Sequence, residues 1–352
     1  MKLFNETIAK IEKIDFSLGA DTQKRLDFLT KPQGSLGRLE ELAKQIVEIT
    51  RVKNPSLPHK VIFVMAGDHG VTQEGISAFP QEVTPQMVYN FLQGGAGINV
   101  LAKHVGARVV VADLGVAVDL KPHPQLLSRK INYGTKNMAK GPAMTREEAV
   151  RSVENGITIF EEEFKRGISI AATGEMGIGN TTPSSAIVSL ITGQSPEAVT
   201  GRGTGIDDGA WERKVAVIKK AIEINKPNAK DGIDVLMKVG GYEIGGLAGV
   251  ILAAASRRLP IVVDGFISSA AALIAYTIEP KVKDYMIAGH ASVEQGHKVV
   301  CAYLGLKPIL NLDLRLGEGT GAALAIGVIE AGVKILNEMA TFESAQVSQK
   351  ES

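Results

Sequence analysis

Residues 60–70 read KVIFVMAGDHG, an unbroken apolar run from Val61 to Ala66 that stops at Gly67 and ends on Asp68, His69 and Gly70. A strand with one wet face alternates polar and apolar residues. A continuous run is the mark of a strand buried on both faces of a parallel sheet. The pattern returns at residues 107–115 (ARVVVADLG), 167–177 (GISIAATGEMG), 259–266 (LPIVVDGF), 284–290 (DYMIAGH) and 308–319 (PILNLDLRLGEG). Helical spacing fills the intervals. TREE at 145–148 is a capping box, and TTPSSA at 181–186 puts Pro183 in a first helical turn. About six β/α alternations predict an α/β fold, a doubly wound and mostly parallel sheet of about six strands.

Residues 5–14, 21–30 and 36–50 carry helical periodicity before the first strand. Having no strand of their own, they are expected to pack with the last helix, at 319–340. The expected division is a large domain of residues 45–320 and a small helical domain from both chain ends, 1–44 and 321–352. KPHPQ (121–125) and NKPNAKD (225–231) read as loops, and ESAQVSQKES (343–352) as a disordered tail.

The 352 residues carry 39 Lys+Arg against 38 Asp+Glu, a net charge of +1, so no bulk charge draws nucleic acid or an anionic membrane. Ten Phe, 6 Tyr and 1 Trp leave little for base stacking, and a nucleic-acid partner is not expected. The single cysteine, Cys301, fits a reducing compartment. Charge interrupts MKLFNETIAKIEKIDF too often for a signal peptide. The longest apolar stretches, at 245–255 and 266–278, fall short of the roughly 20 residues of a membrane span. A cytoplasmic protein with no membrane partner is expected.

Nearly every expected strand ends in a glycine turn with a polar tip: Gly67-Asp68-His69-Gly70, Gly174-Glu175-Met176-Gly177, Asp264-Gly265, Gly289-His290 and Gly317-Glu318-Gly319. Ligands of open parallel sheets bind outside these strand ends. GIGNTTPSSA (177–186) offers free helix amides beside Asn180, Thr181 and Thr182, an anion site. GRGTGIDDGAWERK (201–214) adds Arg202 and Lys214 as cations for a phosphate. GEGTGA (317–322) matches a relaxed dinucleotide pattern but follows the last strand, not the first, and no P-loop motif is present. A dinucleotide-dependent oxidoreductase and a non-catalytic nucleotide-binding protein stand as alternatives. His290, Glu294 and His297 depart from the HExxH zinc spacing, so no metal or cofactor is expected. Trp211 and Cys301 read as packing residues, and Asp68-His69 as a structural pair.

Eight stretches in order carry a resemblance: residues 31–43 (KPQGSLGRLEELA), 66–71 (AGDHGV), 172–186 (ATGEMGIGNTTPSSA), 201–208 (GRGTGIDD), 240–249 (GGYEIGGLAG), 264–273 (DGFISSAAAL), 289–297 (GHASVEQGH) and 312–325 (LDLRLGEGTGAALA). Together they resemble the nicotinate-nucleotide–dimethylbenzimidazole phosphoribosyltransferases of cobalamin biosynthesis. The resemblance implies a Rossmann-like large domain, a small helical domain and a homodimer, with residues 245–255 suited to a close helix contact between or within chains. It implies transfer of a 5-phosphoribosyl group from nicotinate mononucleotide to 5,6-dimethylbenzimidazole with inversion, yielding α-ribazole 5′-phosphate and nicotinate. A pyridinium leaves readily without a metal, so one carboxylate suffices to take the acceptor's proton. That base falls on Glu318, with Glu175 as a second acidic group. Phosphate and ribose contacts fall on Gly177, Gly179, Asn180, Thr181, Gly203, Lys214, Gly265 and Ser292, with Arg202 beside them. Phe79, Met87 and Leu316 fall on the acceptor pocket, where benzimidazole, adenine and phenolic acceptors all remain open.

Overall fold

The run at 61–66 forms the centre of β1 (Lys60–Gly67), every residue of which is buried. The chain is described here from a computed structural model covering residues 1–203 and 205–348. Three helices precede the sheet: α1 (Lys2–Ala9), α2 (Ser17–Asp27) and α3 (Arg38–Thr50). After β1 come α4 (Val83–Gln93), α5 (Gly97–Val105), β2 (Ala107–Gly115), β3 (Leu126–Ser128), α6 (Arg146–Phe164) and β4 (Ile170–Met176). Then follow α7 (Thr181–Thr192), α8 (Pro196–Val199), α9 (Asp208–Asn225), α10 (Gly232–Val239), α11 (Tyr242–Ser256) and β5 (Ile261–Val263). The last elements are α12 (Phe266–Ile278), β6 (Met286–Ala288), α13 (Gln295–Leu304) and α14 (Thr320–Glu338).

The strands form one all-parallel sheet in the order β3-β2-β1-β4-β5-β6. From β1 the chain winds outward one way through β2 and β3, then returns to β4 and winds the other way. The tips of β1 and β4 therefore part at a topological switch point, which is where such sheets bind ligands.

Two assignments change. Residues 308–319 are not a strand. Only Leu310 bridges the sheet, opposite His290, and the chain then runs exposed through residues 311–313 and 315–316. Its apolar residues alternate with Asn311, Asp313 and Arg315, so they mark a loop over the strand tips rather than a doubly buried strand. The sixth strand is instead β3, which pairs with Val111–Asp113 just after the KPHPQ loop. A three-residue strand carries too little periodicity to stand out. The N-terminal periodicity at 5–14 also breaks early, since α1 stops at Ala9 while Ile11 and Ile14 are buried in the main core.

One face of the sheet packs Phe63 and Met65 under α6, α11 and α12, and the other packs Ile62 and Val64 under α14, α3 and α5. The 245–255 stretch lies in α11, buried along nearly its whole length within this chain. A Cβ on Gly156 of α6 would stand 1.9 Å from the Gly246 carbonyl oxygen of α11, so the two helices approach at backbone distance. Thr145 caps α6 through the Glu148 amide at 3.1 Å, and the Glu148 carboxylate returns the contact at 2.8 Å. α14 is long and apolar enough to cross a membrane by length and composition, yet 56% of that span is buried. Leu26, Leu29, Ala43, Val47 and Leu336 close a smaller cluster between α2, α3 and α14. Residues 343–348 of the expected tail fold back in turns, with the Val347 amide on the Phe342 carbonyl at 3.0 Å; residues 349–352 lie outside the described chain.

Candidate active site

The tips of β4 and β5 and the turn before α14 enclose a cleft of about 640 Å³. It gathers Glu175, Gly177, Asn180, Thr181, Gly203, Gly265, Ser292, Leu316 and Glu318, with Phe79 and Met87 on one wall. Gly179, Arg202 and Lys214 are expected site residues that stand outside its immediate lining.

Glu318 sits at the centre of three successive left-handed residues: Gly317 at φ +86°, Glu318 at +60° and Gly319 at +96°. Glycine adopts this region freely, but a glutamate there is strained, and such strain persists only where the surroundings hold it. Two groups hold it here. The Thr320 hydroxyl donates to the Gly317 carbonyl at 2.9 Å. Asp264, at the tip of β5, accepts from the Gly319 and Ala322 amides at 3.2 and 2.9 Å, capping α14. The resulting turn aims the Glu318 carboxylate at the first turn of α5, where it accepts from the Ile98 amide at 3.0 Å. Burial pushes its pKa above the usual carboxylate range; the Ile98 amide opposes that and Asp264 adds to it.

Glu175 faces the same turn. A Cβ on Gly317 would stand 2.3 Å from its Oε1, so any side chain there would push the Glu175 carboxyl aside. The carboxyl is fully enclosed, and burial pushes its pKa to about 8. The Asn180 side-chain amide donates to it and opposes the rise, while Asp264, Glu243 and Glu318 reinforce it. Glu175 is therefore mostly protonated at neutral pH. Two carboxyl groups share one cleft, and burial raises the pKa of both.

Beside the other end of the cleft lies a buried cation. Lys214 of α9 is buried, and its Nζ donates to the Thr181 Oγ1 at 2.7 Å, at the N-terminus of α7. Burial lowers its pKa to about 8, against the pull of Glu294. A Cβ on Gly203 would lie 3.3 Å from that Nζ, which places the Gly203 backbone beside the cation. The Gly203 amide donates to Glu294 at 2.9 Å. Gly179, at φ +87°, turns the chain into this site against Thr72. Arg202 faces away from the cleft, paired with Asp208 and donating to the Ile206 carbonyl at 3.0 Å. Thr204, within the quoted 201–208 stretch, lies outside the described residues.

Behind the switch point, His69 Nε2 and Glu243 Oε1 are 2.7 Å apart and both are buried. Burial disfavours the imidazolium, but Glu243 and Asp68 together outweigh it and the His69 pKa is raised. His290, Glu294 and His297 do not converge as ligands: His297 Nε2 donates to the His290 carbonyl at 2.8 Å, while Glu294 turns to Gly203. Among the described residues no group of three His, Cys, Asp or Glu is placed to hold a metal ion. Trp211 Nε1 donates to the Thr200 carbonyl at 2.8 Å, and Cys301 is buried, its thiol pushed up to about 11 by that burial. Asp264, His290, Glu294 and Arg315 also line the cleft. Sequence reasoning did not place them in the site, although Asp264 and His290 stood in two of the quoted turns.

A cleft at the switch point of a doubly wound sheet, with a buried lysine near one end and a carboxylate facing it, defines a class. A sequence-family profile described as phosphoribosyltransferase matches residues 11–347. Nicotinate-nucleotide–dimethylbenzimidazole phosphoribosyltransferase from Chloroflexus aggregans is 57% identical over 350 residues, 99% of each chain. The protein of the same name from Geobacter sulfurreducens is 59% identical over 349 residues, again 99% of each. The crystal structure of the Thermus thermophilus enzyme of this name matches with a TM-score of 0.90 at 43% identity, covering 95% of this chain and 99% of that one. The chain belongs to the nicotinate-nucleotide–dimethylbenzimidazole phosphoribosyltransferase family, and neither the oxidoreductase nor the non-catalytic alternative is retained.

Proposed function

We propose that this cleft transfers the 5-phosphoribosyl group of nicotinate mononucleotide to 5,6-dimethylbenzimidazole. The 5′-phosphate sits against Lys214, Thr181, Gly203 and the α7 amides, with Ser292 and Gly265 beside the ribose. The flat acceptor lies against Phe79, Met87 and Leu316. Phe79 and Leu316 leave more than half of their surface exposed, an apolar wall suited to a bicyclic ring.

The acceptor's unprotonated ring nitrogen attacks the anomeric carbon from the α face. The bond from that carbon to the pyridinium breaks, and its electron pair neutralises the departing nicotinate nitrogen. The proton on the acceptor's other nitrogen passes to Glu318. A carboxylate with a raised pKa is a stronger base than an exposed one, which suits this step. Glu175, kept protonated, orients the site by donating a hydrogen bond rather than competing for the proton.

The observation carrying this reading is the placement of the Glu318 and Glu175 carboxyls on either side of Gly317 in one cleft. It is tested by incubating the protein with both substrates and resolving the products by mass. Free nicotinate with α-ribazole 5′-phosphate is the expected result; folded protein that yields neither refutes the proposal.

A further inference from the structure

The substrate proposed for this cleft has two anionic ends, a phosphate and the nicotinate carboxylate. Lys214 and the α7 amides answer the phosphate. Five acidic groups line the cleft: Glu175, Asp264, Glu294, Asp313 and Glu318. Arg315 is the single lysine or arginine among the described lining residues. It is exposed, and it makes no hydrogen bond or ion pair with any described residue. None of the cleft carboxylates pairs with it: Arg202 holds Asp208, and Glu294 accepts from the Gly203 amide instead.

Arg315 also stands in a particular direction from the reacting centre. A guanidinium nitrogen comes within 4.0 Å of a Cβ placed on Gly205, beside the phosphate-site loop. With Gly203 and Glu294 it forms the partition to an adjoining chamber of about 600 Å³. In a β-nucleotide the 5′-carbon and the base stand on the same face of the ribose. The nicotinate ring must then lie on the phosphate side, opposite the attacking acceptor, which is where Arg315 stands.

We infer that Arg315 binds the carboxylate of the nicotinate ring and sets the preference for an acidic over an amidated pyridine nucleotide. The inference rests on the reading of the cleft given above. A guanidinium meets a carboxylate with two parallel hydrogen bonds, whereas a neutral carboxamide forms at most one of comparable strength.

The test compares kcat/KM for nicotinate mononucleotide and nicotinamide mononucleotide. The wild type is expected to favour the acid by about 10- to 100-fold, the range of a charge-assisted hydrogen bond. Arg315→Gln is expected to shrink that preference to about 3-fold or less, and Arg315→Lys to leave it intermediate. An unchanged ratio in Arg315→Gln, or an equal loss for both nucleotides, overturns the inference. For the wild type alone, nicotinate is expected to inhibit about tenfold more tightly than nicotinamide, and equal inhibition overturns it too. Transfer from neither nucleotide by the wild type instead overturns the reading of the cleft, and this inference with it.

Discussion

Replacing Gly317 with alanine separates the backbone cost of the Glu318 turn from its chemical purpose. An alanine held at φ +86° costs about 1–2 kcal/mol over glycine. In a chain of this length that lowers the melting temperature by only a few degrees. The new Cβ also stands 2.3 Å from Glu175 Oε1, where an ordinary carbon–oxygen contact needs about 3.3 Å. Either the turn or the Glu175 carboxyl must retreat by about 1 Å. A displacement of that size at the reacting groups costs about 100-fold in rate. Gly305→Ala is the control: φ is +66° there, and nothing lies within 4 Å of the added carbon. Thermal melts and steady-state turnover should show similar small losses of stability in both variants, with turnover lost only in Gly317→Ala. Near-normal turnover in Gly317→Ala, or an equal loss in Gly305→Ala, refutes the reasoning.

Lys214, with a pKa of about 8, loses its charge as the pH rises, so KM for nicotinate mononucleotide should climb by up to about tenfold per pH unit above that value; a KM that stays flat from pH 6 to 10 contradicts its role at the phosphate. Glu175 has a folded pKa above its unfolded one, so its stabilising share is full below about 4.5 and is lost as the pH rises through about 8. Glu175→Gln should therefore melt like the wild type near pH 5 and higher than it near pH 9, and melting curves at the two pH values check the sign. Asp264→Ala strips the acceptor from the Gly319 and Ala322 amides and should cost about 2 kcal/mol in urea unfolding, with turnover falling as the Glu318 turn loosens.

The sheet was legible where burial leaves a continuous apolar run, as at β1, and illegible where length or exposure erases the pattern. β3 is three residues long beside a proline-rich loop, and the stretch before Glu318 is apolar enough to pass for a buried run, although its apolar residues alternate with polar ones over the strand tips. At the site, glycine turns pointed to Glu318 and Glu175 because a close approach needs glycine whatever the ligand. Chain spacing alone said less about direction. Arg202 and Lys214 looked alike as cations flanking a turn, yet Lys214 is buried against Thr181 while Arg202 folds onto Asp208. Arg315 sat inside an expected strand, so nothing in its spacing marked it as a cleft residue. Asp264 holds the Glu318 turn through backbone amides, a partnership between residues 264 and 319–322 that no local motif encodes.

The central claim is that Glu318 accepts the proton of the incoming base. The most direct measurement is the single-turnover rate of Glu318→Gln with saturating nicotinate mononucleotide and dimethylbenzimidazole. Glutamine keeps the shape and its oxygen can still accept from the Ile98 amide, but it cannot take a proton. The account predicts a fall of about 100- to 10,000-fold, the usual worth of a positioned general base. A rate within a few-fold of the wild type contradicts it and moves the proton to another group.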